Sequence, residues 1–316
     1  MSFFRRLIQI TLSICIFVFF LLQIDFDLFW KTLMEFNPLF FCFGIIFFMC
    51  QIFFLNLRWH ALINCGEKKL PFKTNVLINL ASYFANIFFI ASIGGVVAKS
   101  GLAVRYNVPL VQAVGATFID RLMTFLALLF FCVLGVFFLK DILTHRLMMF
   151  LLFVLMFFCL GTSILILLLK MKLFKGIVRV IFQKKKFIEA VAIFLNQKGM
   201  LWRSYVCSLC AQAFFFIGIY ILSLGFGGYS AQTVQFFSLL PVLAFVASLP
   251  ISFGGWGVRE GAFVYGLGLI GFSMNDAFLL SVQVGLASLM APMCYTLPFL
   301  LDPDFSKFIK REKIAN

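Results

Sequence analysis

Long apolar runs alternate with short polar segments along this chain. Leu7 to Leu22, Pro38 to Leu57, Gln112 to Leu139, Leu147 to Leu169, Leu201 to Gly225 and Asp276 to Leu301 are nearly free of charge. Each approaches or exceeds the roughly 20 residues that a helix needs to cross a hydrocarbon core about 30 Å thick. Two further stretches, Thr74 to Ile93 and Gln232 to Phe253, behave differently: each runs up to a Gly-Gly pair and leads into a shorter, partly polar segment. In hydrocarbon every backbone N–H and C=O needs a partner, so glycine-rich backbone survives only where protein packs on it or a polar cavity receives it. These two stretches are therefore expected to form re-entrant or broken-helix hairpins over 74–108 and 231–272.

Composition excludes a soluble alternative. Hydrophobic residues make up 63% of the chain and charged residues 12%, with 47 Phe, a balance that suits a chain surrounded by acyl tails. The formal charge of +14 fits cytoplasmic loops facing anionic lipid, and no basic segment is long enough to be a nucleic-acid module. Lys and Arg concentrate at Arg5-Arg6, at Arg58 to Lys73, over Lys170 to Arg203 and at Lys307 to Lys313. Placing all four clusters on one face, as the positive-inside rule directs, puts both termini in the cytoplasm of a multi-pass protein of a bacterial-type inner membrane. The segment 170–200, with Phe174, Ile177, Ile181, Ile188 and Phe194 between lysines, reads as an interfacial amphipathic helix. The nine Cys are scattered; Cys207 and Cys210 form a CxxC without a second ligand pair, so neither metal nor cofactor is expected. Arg5-Arg6 and the run after it lack a small-x-small cleavage site, and a retained span is the expectation.

A repeat carries the candidate chemistry. One constant offset lays Ser92-Ile93-Gly94-Gly95 through Lys99 and Gly101 over Ser252-Phe253-Gly254-Gly255 through Arg259 and Gly261. The flanks agree as well, a span before and a long span after each hairpin. The fold class that follows is an all-α polytopic membrane protein of about six full spans plus two glycine-centred hairpins arranged as an inverted repeat, 1–145 and 146–316. The helix after each Gly-Gly begins with free N–H groups and carries Lys99 or Arg259 in its first turns, which together make an anion site. Two plainer readings stand beside this one: the glycines as packing notches, and the cations as snorkelling side chains. Asp120 and Arg121 form a charged pair inside the span Gln112 to Leu139 and diverge by about 100° on a helix, so each needs its own partner or a wet cavity. Arg105 lies at the exit of the first hairpin, facing phosphate or headgroups. Glu260 either holds Arg259 or carries a coupling proton.

At these residues the chain resembles the lysylphosphatidylglycerol synthase transmembrane, flippase-like family. Ile93-Gly94-Gly95 through Lys99 and Arg105, Val108-Pro109-Leu110 through Asp120-Arg121, and Leu249-Pro250 through Gly254-Gly255-Trp256-Gly257-Val258-Arg259-Glu260 carry the resemblance over nearly the whole chain. It implies lipid transport across the membrane. Ser92 and Lys99 depart from a more Pro- and Arg-like first motif. No soluble aminoacyl-transferase domain is read in this sequence, so synthase activity is not implied.

The expected function is a flippase or transporter for an anionic, phosphate-bearing lipid or lipid-linked headgroup. Gly94, Gly95, Lys99, Arg105, Asp120, Arg121, Gly254, Gly255, Arg259 and Glu260 are its candidate substrate-binding residues. An integral-membrane enzyme acting on a lipid-linked phosphate has only Asp120, Glu260 and Asp276 to draw on, so no enzymatic activity is expected. A non-transporting accessory subunit of a lipid-synthesis or envelope glycosyltransferase pathway is the alternative, its partner an envelope-biosynthesis enzyme.

Overall fold

A computed structural model describes residues 30–31, 34–66, 68–88, 93–140, 142–170, 194, 197–226, 233–248 and 257–300. Nine helices lie among them: α1 Pro38–Ile63, α2 Phe72–Phe88, α3 Ile93–Arg105, α4 Leu110–Val136, α5 His145–Lys170, α6 Lys198–Leu224, α7 Thr233–Ser248, α8 Val258–Gly268 and α9 Met274–Leu300. Five of these, α1, α4, α5, α6 and α9, are long and apolar enough to cross a membrane. The chain is an all-α polytopic membrane protein. The first predicted span, most of the basic segment, Gly254, Gly255 and the C-terminal lysines lie outside the described residues.

Local chemistry explains several boundaries. Asn37 caps α1 through its side chain, which accepts from the Leu39 N–H, and Pro38 fills the first helical position, where no N–H is needed. At the end of α3, Asn107 takes a left-handed φ of 61°, and the Val108 N–H returns to the Ala103 carbonyl at 3.1 Å. That is the usual way to turn a chain out of a helix without leaving a bare carbonyl. Pro109 then stands at the start of α4.

The two units pack alike. α2 lies against α3 as α7 lies against α8, and α3 meets α4 as α8 meets α9. Across units, α4 packs on α7 as α9 packs on α2, and α1 touches α9 as α6 touches α4. Exchanging α1 to α4 for α6 to α9 leaves this set of neighbours unchanged. The direction of the exchange is fixed by the central pair, α1 and α6. Gly44 of α1 receives Leu222 and Phe48 of α1 fills the space at Gly218, while further along Phe54 stacks on Phe214 and Arg58 bonds to Ser208. Ascending α1 descends α6, so the helices are antiparallel and the repeat is inverted. Glycine notches receiving large side chains supply the close packing that association in lipid depends on.

Two differences from the sequence reading matter for the site. The apolar run ending at Leu57 continues as helix to Ile63, which carries Arg58 and Trp59 into the protein; Arg58 is not a loop cation. Gly94 and Gly95 are not unwound either. Both lie in the first turn of α3, the Gly95 N–H donates to Asn86 Oδ1 at 2.7 Å, and the Gly95 carbonyl accepts from Ser82 Oγ at 3.0 Å. The notch serves helix packing, because a Cβ at Gly95 would collide with the Asn86 amide.

Candidate functional site

Polar residues on one stripe of α2, Asn75, Asn79, Ser82 and Asn86, recur at helical spacing and face inward against α1 and α3. Asn79 Nδ2 donates to Asn56 Oδ1 at 2.7 Å, and Asn75 Nδ2 donates to the Asn56 carbonyl at 3.1 Å. Buried amides hold position because every lost hydrogen bond in this setting leaves a costly orphan. This ladder secures α1 to α2 two residues from Arg58.

The charges meet at Asp120 on α4. Arg58 Nε donates to Asp120 Oδ1 at 2.7 Å, and Lys99 Nζ donates to Oδ2 at 3.0 Å. The Arg58 guanidinium also donates to Ser208 Oγ on α6 at 2.9 Å, and Lys99 Nζ stands 4.6 Å from the centroid of the Trp59 ring. All three charged side chains are buried, at 8% exposure or less. Such burial is tolerated because each carboxylate oxygen has its own cation and the ring face adds a cation–π contact. The Asp120 carboxylate thus joins α1, α3 and α4, and the Arg58 guanidinium extends the cluster to α6.

A cavity of about 120 Å³ opens beside this cluster, bordered by Arg58, Lys99, Asp120 and Arg121 together with neutral polar groups that include Asn79, Ser82, Tyr83, Asn86 and Gln212. Arg121 is exposed, and among the described residues no hydrogen bond or ion pair joins it to another side chain. The divergence expected for neighbours on a helix is realised: Asp120 points to the buried cations and Arg121 to the cavity.

The second motif is built differently. Gly257 adopts φ 85° ahead of α8, a conformation that favours glycine, and its N–H donates to the Glu260 carboxylate. Arg259 Nη2 donates to Glu260 Oε1 at 2.6 Å, and Arg259 Nε donates to Ser281 Oγ on α9 at 3.2 Å. Glu260 is fully buried. A Cβ at Gly285 of α9 would strike the Arg259 guanidinium, so that glycine makes room for the cation. The pair neutralises itself and joins α8 to α9.

Of the candidate residues, Lys99, Asp120 and Arg121 are brought to one cavity. Gly95 lies beside it through Asn86, which borders the cavity, and Gly94 precedes it in the same turn. Arg259 and Glu260 form the separate clamp. Arg105 is exposed at the end of α3 and is not among the residues bordering the cavity. Gly254 and Gly255 lie outside the described residues. Arg58, Asn56, Asn75 and Asn79 were not anticipated as site residues. The stripe of α2 was open to a reading at a period of 3.6, but Arg58 follows an apolar run where a charge ordinarily marks its end.

The family model described as lysylphosphatidylglycerol synthase TM region matches residues 6–295. No curated protein and no solved structure matches the chain.

Proposed function

Since the chain belongs to the lysylphosphatidylglycerol synthase TM region family, a membrane protein family with a lipid-related role, we propose that it moves an anionic, phosphate-bearing lipid headgroup across the membrane. The observation that carries this reading is the cationic cavity at Asp120, where Arg58, Lys99 and Arg121 supply more positive charge than one carboxylate balances. A phosphate cannot enter the apolar interior unaided, since a bare charge there costs several kcal/mol or more. A cavity with cations on its wall and neutral donors around them reduces that cost, while the acyl tails stay in lipid.

The inverted repeat supports the same reading. Two units of the same construction and opposite direction are well suited to presenting one site to either face by rocking against each other. On this proposal the Arg259–Glu260 pair positions α8 against α9 and leaves the headgroup to the cavity at Asp120. The proposal assigns no bond-making step, in keeping with Asp120 and Glu260 both being engaged by cations rather than poised as bases. An inner-membrane location with cytoplasmic termini completes it, drawn from the distribution of Lys and Arg.

The test is transbilayer movement of labelled anionic lipids in proteoliposomes, comparing the intact chain with Lys99→Ala. Asp120 retains Arg58 in that variant, so the fold is expected to survive, as a thermal melt would check. Loss of movement supports the cavity as the path; unchanged movement removes it. No movement of any lipid by folded intact protein would return the accessory-subunit role.

A further inference from the structure

The charges around the cavity have a sign and a sum. Among the described residues that border it, three are cations, Arg58, Lys99 and Arg121, one is a carboxylate, Asp120, and Tyr83 is the remaining titratable group. Both carboxylate oxygens are engaged, one by Arg58 and one by Lys99. The Lys99 ammonium is held by that pair and by the Trp59 ring. Three cations less one carboxylate leave two positive charges for whatever enters, one of them on the exposed Arg121. The second motif adds nothing to this sum, because Arg259 and Glu260 cancel each other.

We propose that the cavity selects a phosphate monoester, the headgroup class that carries two negative charges, over phosphodiesters, which carry one. The proposal rests on the transport reading above and names its substrate class. A monoester has a second pKa near ~6 and approaches a dianion at neutral pH, so it matches the cavity charge, whereas a diester leaves one cation uncompensated. The neutral amides on the wall, Asn86 and Gln212, suit the additional terminal oxygen of a monoester.

Phosphatidate and phosphatidylmethanol with identical labelled tails separate charge from size, since they differ by one methyl group and one charge. In proteoliposomes at about pH 7, above the second monoester pKa, phosphatidate is expected to move about tenfold faster, the effect of about 1.4 kcal/mol. Arg121→Ala lowers the cavity charge by one and is expected to bring the ratio close to parity. Equal rates for the two lipids in the intact protein would overturn the monoester assignment and leave lipid transport standing. A preference that persists undiminished in Arg121→Ala would also overturn it, because the selecting charge would lie elsewhere. Movement of neither lipid by folded protein would overturn the transport reading itself. A last arm offers labelled glycerol phosphate to the same vesicles: its uptake without lipid movement would keep the monoester chemistry and overturn the lipid as its source.

Discussion

Asp120 is the residue on which most of the site depends, because it alone compensates two buried cations on two other helices. Removing one member of a buried ion pair strands its partner, which costs about 3–5 kcal/mol. Asp120→Ala is therefore expected to lower stability by that order, read as a large drop in melting temperature in detergent. The triple change Arg58→Met, Lys99→Met and Asp120→Leu should restore much of the loss, since apolar replacements of similar volume remove all three charges together. It should not restore lipid movement. Recovery of both would make the cluster purely structural. Arg259→Lys makes a parallel case in the second unit: the ammonium keeps the charge but cannot aim Nε at Ser281 and Nη2 at Glu260 at once. Its expected effect is a lower melting temperature with the ratio between lipids unchanged, and a shifted ratio would bring Arg259 into the cavity.

Among the elements, α1 and α6 form the seam of the molecule, and glycine sets how closely they approach. A Cβ at Gly218 would overlap the Phe48 ring, and one at Gly44 would overlap Leu222. Gly218→Leu is expected to destabilise the protein by about 1–3 kcal/mol through overpacking, measured by thermal unfolding with lipid movement as a second readout. An unchanged melt would show that the seam yields more easily than its packing implies. The junctions after the two cations are secured in unlike ways, α3 to α4 by the Lys99–Asp120 salt bridge and α8 to α9 by the hydrogen bond from Arg259 Nε to Ser281 Oγ. Equivalent positions of the repeat thus hold different chemistry on the same frame. Lys99 and Arg259 occupy the same place in the sequence pattern, yet one meets a carboxylate from another helix and the other meets its own neighbour.

For the whole molecule, the antiparallel seam determines how the units are related, and the lysines and arginines determine which way they face. Single cysteines introduced at Glu35 and Lys68, exposed positions flanking α1, test the orientation in a background without the native cysteines. Position 35 is expected to react with an impermeant thiol reagent on intact cells, and position 68 only after the membrane is opened. The reverse pattern would invert the assigned topology. The two faces are not equivalent inside either, because the network around Asn56, Asn75 and Asn79 has Phe216, Gln235 and Leu239 at the matching positions of the second unit. The asparagine network consequently has no counterpart in the second unit, whose α6 contributes Ser208 and Gln212 to the cavity wall.

Hydrophobic periodicity determined the spans, because in lipid an apolar run of sufficient length has no better conformation than a helix. It placed α4, α5, α6 and α9 within a few residues of where they lie, and the shared Gly-Gly and cation pattern marked the two hairpins. The charge excess likewise singled out Lys99, Asp120 and Arg121 as costly exceptions. What the sequence left open was partnership. A charge at the end of an apolar run looks the same whether it reaches water or turns inward, so Arg58 read as a loop cation until α1 was seen to continue beneath it. A cation beside a Gly-Gly looks the same whether it faces a ligand or a neighbouring carboxylate, and only the packing of α3 on α4 and of α8 on α9 separated Lys99 from Arg259. Pairing between residues far apart in the chain depends on which helices touch, and that is decided by side-chain shape and burial across the whole bundle rather than by any local pattern.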